Sequence, residues 1–155
     1  MIKNYTSGVP VERTVMRIEV ALIAAGAIGI YKDYKDGVLG AICFSIQDPE
    51  NRLLSVRLPA DAKAVYEVLR ARMKRPRGET LKKLMDQSAR TSWRLIEDWI
   101  KIQVSLIEMR QAEFLQVFLP YIWNGKQTYY ESLKEGGFKA LPEHVEGKAK
   151  KKEQS

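Results

Sequence analysis

The chain has 155 residues, a formal net charge of +7, one cysteine and one histidine. That length buries a core without staples. Cys43, alone, excludes an internal disulfide and fits a reducing cytoplasm, and the lone His144 argues against Ser-His-Asp and Cys-His catalysis.

In chain order, VERTVMRIEVALIAAGA predicts a helix. Val11, Val15, Ile18, Leu22 and Ala25 fall on one face, Pro10 suits its start and Gly26 its end. A strand follows from AIGIY, with Ile28 and Ile30 on one side. Asp36-Gly37 marks a hairpin. The returning strand VLGAICFSI alternates, with Val38, Ile42, Phe44 and Ile46 expected inward. After a turn at Gln47–Asn51, RLLSVRL gives a third strand with Leu54, Val56 and Leu58 on its core face. The three form an antiparallel meander.

From Pro59 the period becomes helical. PADAKAVYEVLRARM places Ala62, Val65, Tyr66, Leu69 and Met73 in register, and RPRG breaks it. A long helix is expected from about Glu79 to about Phe114. One apolar stripe runs Leu81, Leu84, Leu95, Trp99, Ile102, Leu106 and Met109; a second (Trp93, Ile96, Ile100, Val104, Ile107) begins only after residue 92. Two apolar sides point to burial in the core or in a homodimer interface. FLQVFLPYIW is apolar and broken by Pro120. Thr128 and Glu131 form a capping box for a short helix to Glu135, stopped by Gly136-Gly137. The expected fold class is α+β: an N-terminal helix, a three-stranded antiparallel meander, then a helical C-terminal half with one long helix. Residues 1–142 read as one domain and 143–155 as a disordered basic tail.

No zinc spacing, P-loop or Gly-x-Gly-x-x-Gly motif is present, so no metal site, cofactor or catalytic residue is expected. Glu97 and Asp98 are adjacent on a helix and read as surface ion pairs, Glu97 with Lys101. The longest apolar run, VALIAAGAIGIY, is too short to span a membrane and the N-terminus shows no signal peptide. A cytoplasmic protein without a membrane partner is expected.

The charge is localised. Residues 70–94 hold nine basic and two acidic side chains, whereas residues 1–69 hold eight of each. Arg70, Arg72, Lys74, Arg75 and Arg77 surround a helix–helix turn; Lys82, Lys83, Arg90 and Arg94 follow. Crowded cations repel unless an anion compensates, and a helix start adds free N–H groups and a partial positive charge. Arginine brings planar, bidentate contacts to phosphate. Laid out as one helix, the window would span roughly 35 Å, which favours a polymer over a mononucleotide. Trp93, if exposed, would add a stacking face, and Lys148, Lys150, Lys151 and Lys152 a sequence-independent contact. The competing reading is a hydrophilic turn that only aids solubility.

Four segments, VPVERTVMRIEVALIAAGA, RLPADAKAVYEVL, SARTSWRLIEDWIKIQVSLIEM and VFLPYIWNGKQTYYESL, resemble a family of small proteins encoded by tailed bacteriophages and prophages. The resemblance runs from about Val9 to about Pro142. It implies a phage origin and, because such genes often sit among replication and recombination functions, a place in DNA metabolism. It assigns no catalytic residue. It marks Trp93, Arg94, Asp98, Trp99 and Phe118–Tyr121 as structural or interface elements, and RPRG lies outside it.

The expectation is a non-enzymatic nucleic-acid-binding accessory protein of phage replication or recombination, without sequence specificity. The alternative is a phage counter-defence protein that binds a host protein or a signalling nucleotide. Its interface or pocket would draw on Trp93, Trp99, Pro120, Tyr121, Trp123, Tyr129 and Tyr130, and core packing is the plainer role for those rings. A purely structural self-association module is the third reading.

Overall fold

The apolar faces set by the sequence meet in two layers, a sheet on one side and helices on the other, in a computed structural model that describes Lys3 and residues 7–147. The expected Lys-rich contact at the C-terminus, residues 148–155, lies outside the described residues.

Helix α1 (Val11–Ala24) starts at Pro10, whose missing N–H costs no helical bond there, and buries Thr14, Val15, Ile18 and Leu22. It ends in a Schellman turn. Gly26 takes φ 107°, its N–H donates to Ile23, and the Ala27 N–H donates to Leu22.

Strands β1 (Gly29–Lys35), β2 (Val38–Gln47) and β3 (Leu53–Pro59) form the expected meander in the order β1-β2-β3. Asp36 and Gly37 both have positive φ, 52° and 76°, the geometry of a tight I′-type hairpin. Ile28 lies just outside β1 and is exposed, while Ile30 packs on the core. Ile42, Phe44 and Ile46 are buried as expected, but Val38 is 64% exposed. The cause is a bulge. Asp33 pairs with Ala41 and Tyr34 with Leu39, so Gly40 is an extra residue in β2. One extra residue reverses the alternation, which sends Leu39 to the core and Val38 outward.

The β2–β3 turn is organised by Asp48. Its carboxylate accepts the N–H groups of Glu50 and Arg52 at 2.9 and 2.8 Å and the Arg52 Nε at 2.6 Å. Burial works to raise its pKa, and these hydrogen bonds outweigh burial and hold it below the ordinary 3.8. A carboxyl depressed in the folded state contributes stability above its unfolded pKa, and that contribution is lost as pH falls through the folded value. Thermal melts against pH should therefore show Asp48→Asn less stable than the parent above pH 3.8, the gap closing as pH is lowered further.

Helix α2 (Ala62–Ala71) is capped by Asp61, which accepts the Ala64 N–H, and buries Leu69. Helix α3 (Gly78–Glu108) is the long helix, and it stops six residues before the expected end. Arg110 takes φ 56°, its N–H donates to Ile107, and the Gln111 N–H donates to Leu106. This is again a Schellman turn, closed by arginine where glycine is usual. Trp93, Ile100 and Val104 enter the core, with Ile96 and Ile107 packed against it, whereas Ile102, Leu106 and Met109 of the other stripe are exposed.

Helix α4 (Phe114–Phe118), a 3-10 turn at Leu119–Tyr121 and helix α5 (Tyr129–Glu135) are the last elements among the described residues. Phe118 is fully buried among Phe44, Phe114 and Trp99. The capping box at Thr128 and Glu131 forms as expected. Ile122 bridges Val56 and the Trp123 N–H donates to Ser55, which covers the free edge of β3. The sheet packs its Ile42–Phe44–Ile46 face on α1 and α3.

Candidate nucleic-acid interface

The basic window folds into a corner. Helices α2 and α3 pack on each other as a helical hairpin, joined by residues 72–77. The window therefore does not lie out as one rod of roughly 35 Å. Met73 and Pro76 are half-buried and anchor the link, whereas Arg70, Arg72, Lys74, Arg75 and Arg77 are all exposed. Arg75 takes φ 50°, in the left-handed region that arginine enters at a cost, and this reverses the chain. Arg77 is the residue before α3 and offers no side-chain cap. The first N–H groups of α3 are thus left to solvent or to a ligand. Gly78 leaves open space where a side chain would stand.

Lys82 and Lys83 are exposed on the first turns of α3, and Lys83 pairs with Glu79 at 3.6 Å. Arg90 and Arg94 do not share that freedom. Arg90 is half-buried and donates to the Ser7 carbonyl and to Gln87. Arg94 donates to Glu97 and stands 3.9 Å from Asp98. The structure thus brings together seven exposed basic side chains, from Arg70 to Lys83, and ties the last two into the fold.

No family model, curated protein or solved structure matches the chain. The phage resemblance rests on the sequence segments alone, and the site rests on its geometry.

Glu97, expected at the surface, is 0% exposed. Arg94 holds one oxygen, with Lys101 at 3.7 Å from the same atom, and Arg17 of α1 stands 3.7 Å from the other. Asp98 is joined by Lys3 at 3.2 Å. Breaking a buried ion pair outright costs about 3–5 kcal/mol, and Arg94→Ala removes the hydrogen-bonded cation of the buried Glu97 while Lys101 and Arg17 stay at 3.7 Å. Arg94→Ala should therefore lower the denaturation midpoint markedly while changing oligonucleotide affinity less than Arg75→Ala. Paired urea melts and binding titrations on the two variants check this.

The aromatic candidates do not converge. Trp93 is 1% exposed and offers no stacking face. Trp99 meets Phe118 and Tyr121 edge-on, at centroid distances of 5.7 and 5.6 Å. Trp99 and Tyr121 also line a cleft of about 200 Å³ with Leu58, Pro59, Leu95 and Ile96. Pro120 is exposed beside it. Trp123 lies on the other side of β3, its ring 5.0 Å from the Arg57 guanidinium. Tyr129 and Tyr130 stand exposed on α5, with Tyr130 against Phe138.

On the sheet face away from the helices, Arg57 also contacts Asp33 at 2.5 Å and the Cys43 sulfur at 3.8 Å. Cys43 is buried beneath it, and its hydrogen bond with Tyr31 is the main cause that pushes the Tyr31 phenol above its ordinary value. Among the described residues, no group of three or more His, Cys, Asp or Glu is placed to hold a metal ion, and no helix is long and apolar enough to cross a membrane.

Proposed function

We propose that this protein is a non-enzymatic nucleic-acid-binding accessory protein of phage replication or recombination, acting in the host cytoplasm. It contacts phosphates through the corner between α2 and α3. The observation that carries this reading is the exposure of five basic side chains within eight residues, Arg70 to Arg77, directly before an uncapped helix start. Arg70, Arg72, Arg75 and Arg77 supply fork-shaped donors, Lys74, Lys82 and Lys83 supply point charges, and the first N–H groups of α3 complete the anion surface. Such contacts position a backbone and carry no sequence readout.

Fluorescence anisotropy with labelled single-stranded and duplex oligonucleotides tests the reading. Affinity should fall linearly on a log–log plot against salt, by about 0.9 in slope for each duplex phosphate neutralised and about 0.7 for each single-strand phosphate. Absence of binding at low salt makes the corner a solvated turn.

The second reading is a counter-defence protein that binds a host factor or a signalling nucleotide. The cleft at Trp99 and Tyr121 is where it would act. Its volume of about 200 Å³ and apolar lining suit an apolar side chain of a protein partner rather than a nucleotide.

A further inference from the structure

A second surface, away from the basic corner, is built for a different contact. On α1, Met16, Val20 and Ile23 follow at i, i+4 and i+7 and are 57, 64 and 62% exposed. They lie outside the Val15–Ile18–Leu22 face that fills the core. Met16 and Val20 form one wall of an open groove of about 580 Å³ between α1 and α3, with Ala21, Val104 and Ser105 in its middle. A groove open along its length suits a helix better than an enclosed small molecule.

The charges stand at the ends of this groove. Arg17 and Lys101 lie at one end, where with Arg94 they outnumber the buried Glu97 that both stand 3.7 Å from, and Glu108 lies at the other. The two helices run the same way, because Val11 and Val15 sit by Ala89 and Trp93 while Ala21 and Ala24 sit by Val104 and Glu108. The ends are therefore chemically distinct. Lys101 and Glu108 are two helical turns apart, roughly 10 Å along the axis. Val104 and Ser105 fall midway between them.

A twofold axis at that midpoint turns each Glu108 toward the partner copy's Arg17 and Lys101. It also sets the exposed Met16–Val20–Ile23 stripe of each copy against the groove of the other. A side-by-side packing without this reversal would set like charges together. We propose that a second copy of this chain occupies the groove, packed antiparallel across α1 and α3, with the Glu108 end of each copy on the Arg17 and Lys101 end of the other. The contact is isologous and closes at two. With α3 of the two copies antiparallel, the two basic corners at the α3 N-termini point to opposite ends of the assembly. Each dimer then carries two separate phosphate surfaces.

Sedimentation velocity on the full chain, without nucleic acid, tests this from micromolar to tens of micromolar. The parent should sediment as a dimer. Val20→Lys should sediment as a monomer that still unfolds cooperatively, since residue 20 is exposed in the single chain, its thermal midpoint falling only by the lost dimer linkage. Glu108→Lys should associate at least about tenfold more weakly, because it sets like charges across the twofold. A parent that stays monomeric at tens of micromolar overturns the proposal. So does a Val20→Lys dimer as tight as the parent, or a Glu108→Lys dimer with unchanged affinity. A monomer that still binds oligonucleotide overturns the dimer and leaves the basic-corner reading standing.

Discussion

Reversing the charge at Arg75 and Arg77 should weaken the proposed oligonucleotide binding at least about tenfold at low salt and leave the fold intact. Both side chains are exposed, and neither takes part in an ion pair or hydrogen bond described above. Two lost duplex phosphate contacts lower the slope of log affinity against log salt by about 1.8. The effect on stability has the opposite sign. Arg77 immediately precedes α3, and a carboxylate at a helix N-terminus stabilises by about 0.3–1 kcal/mol. Arg77→Glu thus holds or raises the melting temperature while affinity falls. A salt series of anisotropy titrations and a thermal melt on Arg75→Glu/Arg77→Glu measure both. A double variant that folds and binds as tightly as the parent places the phosphates elsewhere.

Phe118→Ala costs about 3–5 kcal/mol of stability. The ring is fully buried and sits edge-on to Phe44 at 5.2 Å and to Trp99 at 5.7 Å, with Phe114 tilted at 4.9 Å. It joins the sheet, α3 and α4, so truncation leaves a cavity that three elements must close together. Domains of this size hold about 5–15 kcal/mol in total, so the loss is a large share of the whole. Urea unfolding followed by tryptophan fluorescence measures it. A change below about 1 kcal/mol would mean that this aromatic cluster does not carry the C-terminal segment.

These two variants separate the surface from the core, and the sequence shows the two unequally. Local signals read well. Asp36-Gly37 demands positive φ, Thr128 and Glu131 close a capping box, and Gly26 ends a helix, each within a few residues of its cause. The charged corner was visible because five bases fall within eight positions. What depended on partners distant in sequence was not. The extra residue at Gly40 flips the alternation of β2, and the glycine inside the strand was its only local signal. The end of α3 rests on Arg110 adopting a conformation that its residue type does not advertise. Glu97 looks like a surface carboxylate because Arg94 and Lys101 stand at surface spacings. Its burial comes from α1, which brings Arg17 across. Arg90 and Arg94 resemble the other cations of the window until Ser7 and Glu97 are seen to engage them.

The two-sided character of α3 was legible: the Trp93–Ile107 stripe is buried or packed on the core, and the other is half-buried up to Trp99 and exposed only at Ile102, Leu106 and Met109. The stripe of α1 beside the groove was hidden. Met16, Val20 and Ile23 interleave with the core positions, and only the packed structure shows which set faces inward.

The most direct measurement is a titration of backbone amide resonances with a short oligonucleotide at low salt. Shifts concentrated in Arg70 to Lys83, with the sheet and α5 unmoved, are the expected result. Shifts centred on Trp99 and Tyr121, or no shifts at all, contradict the assignment of the α2–α3 corner as the phosphate-contacting surface.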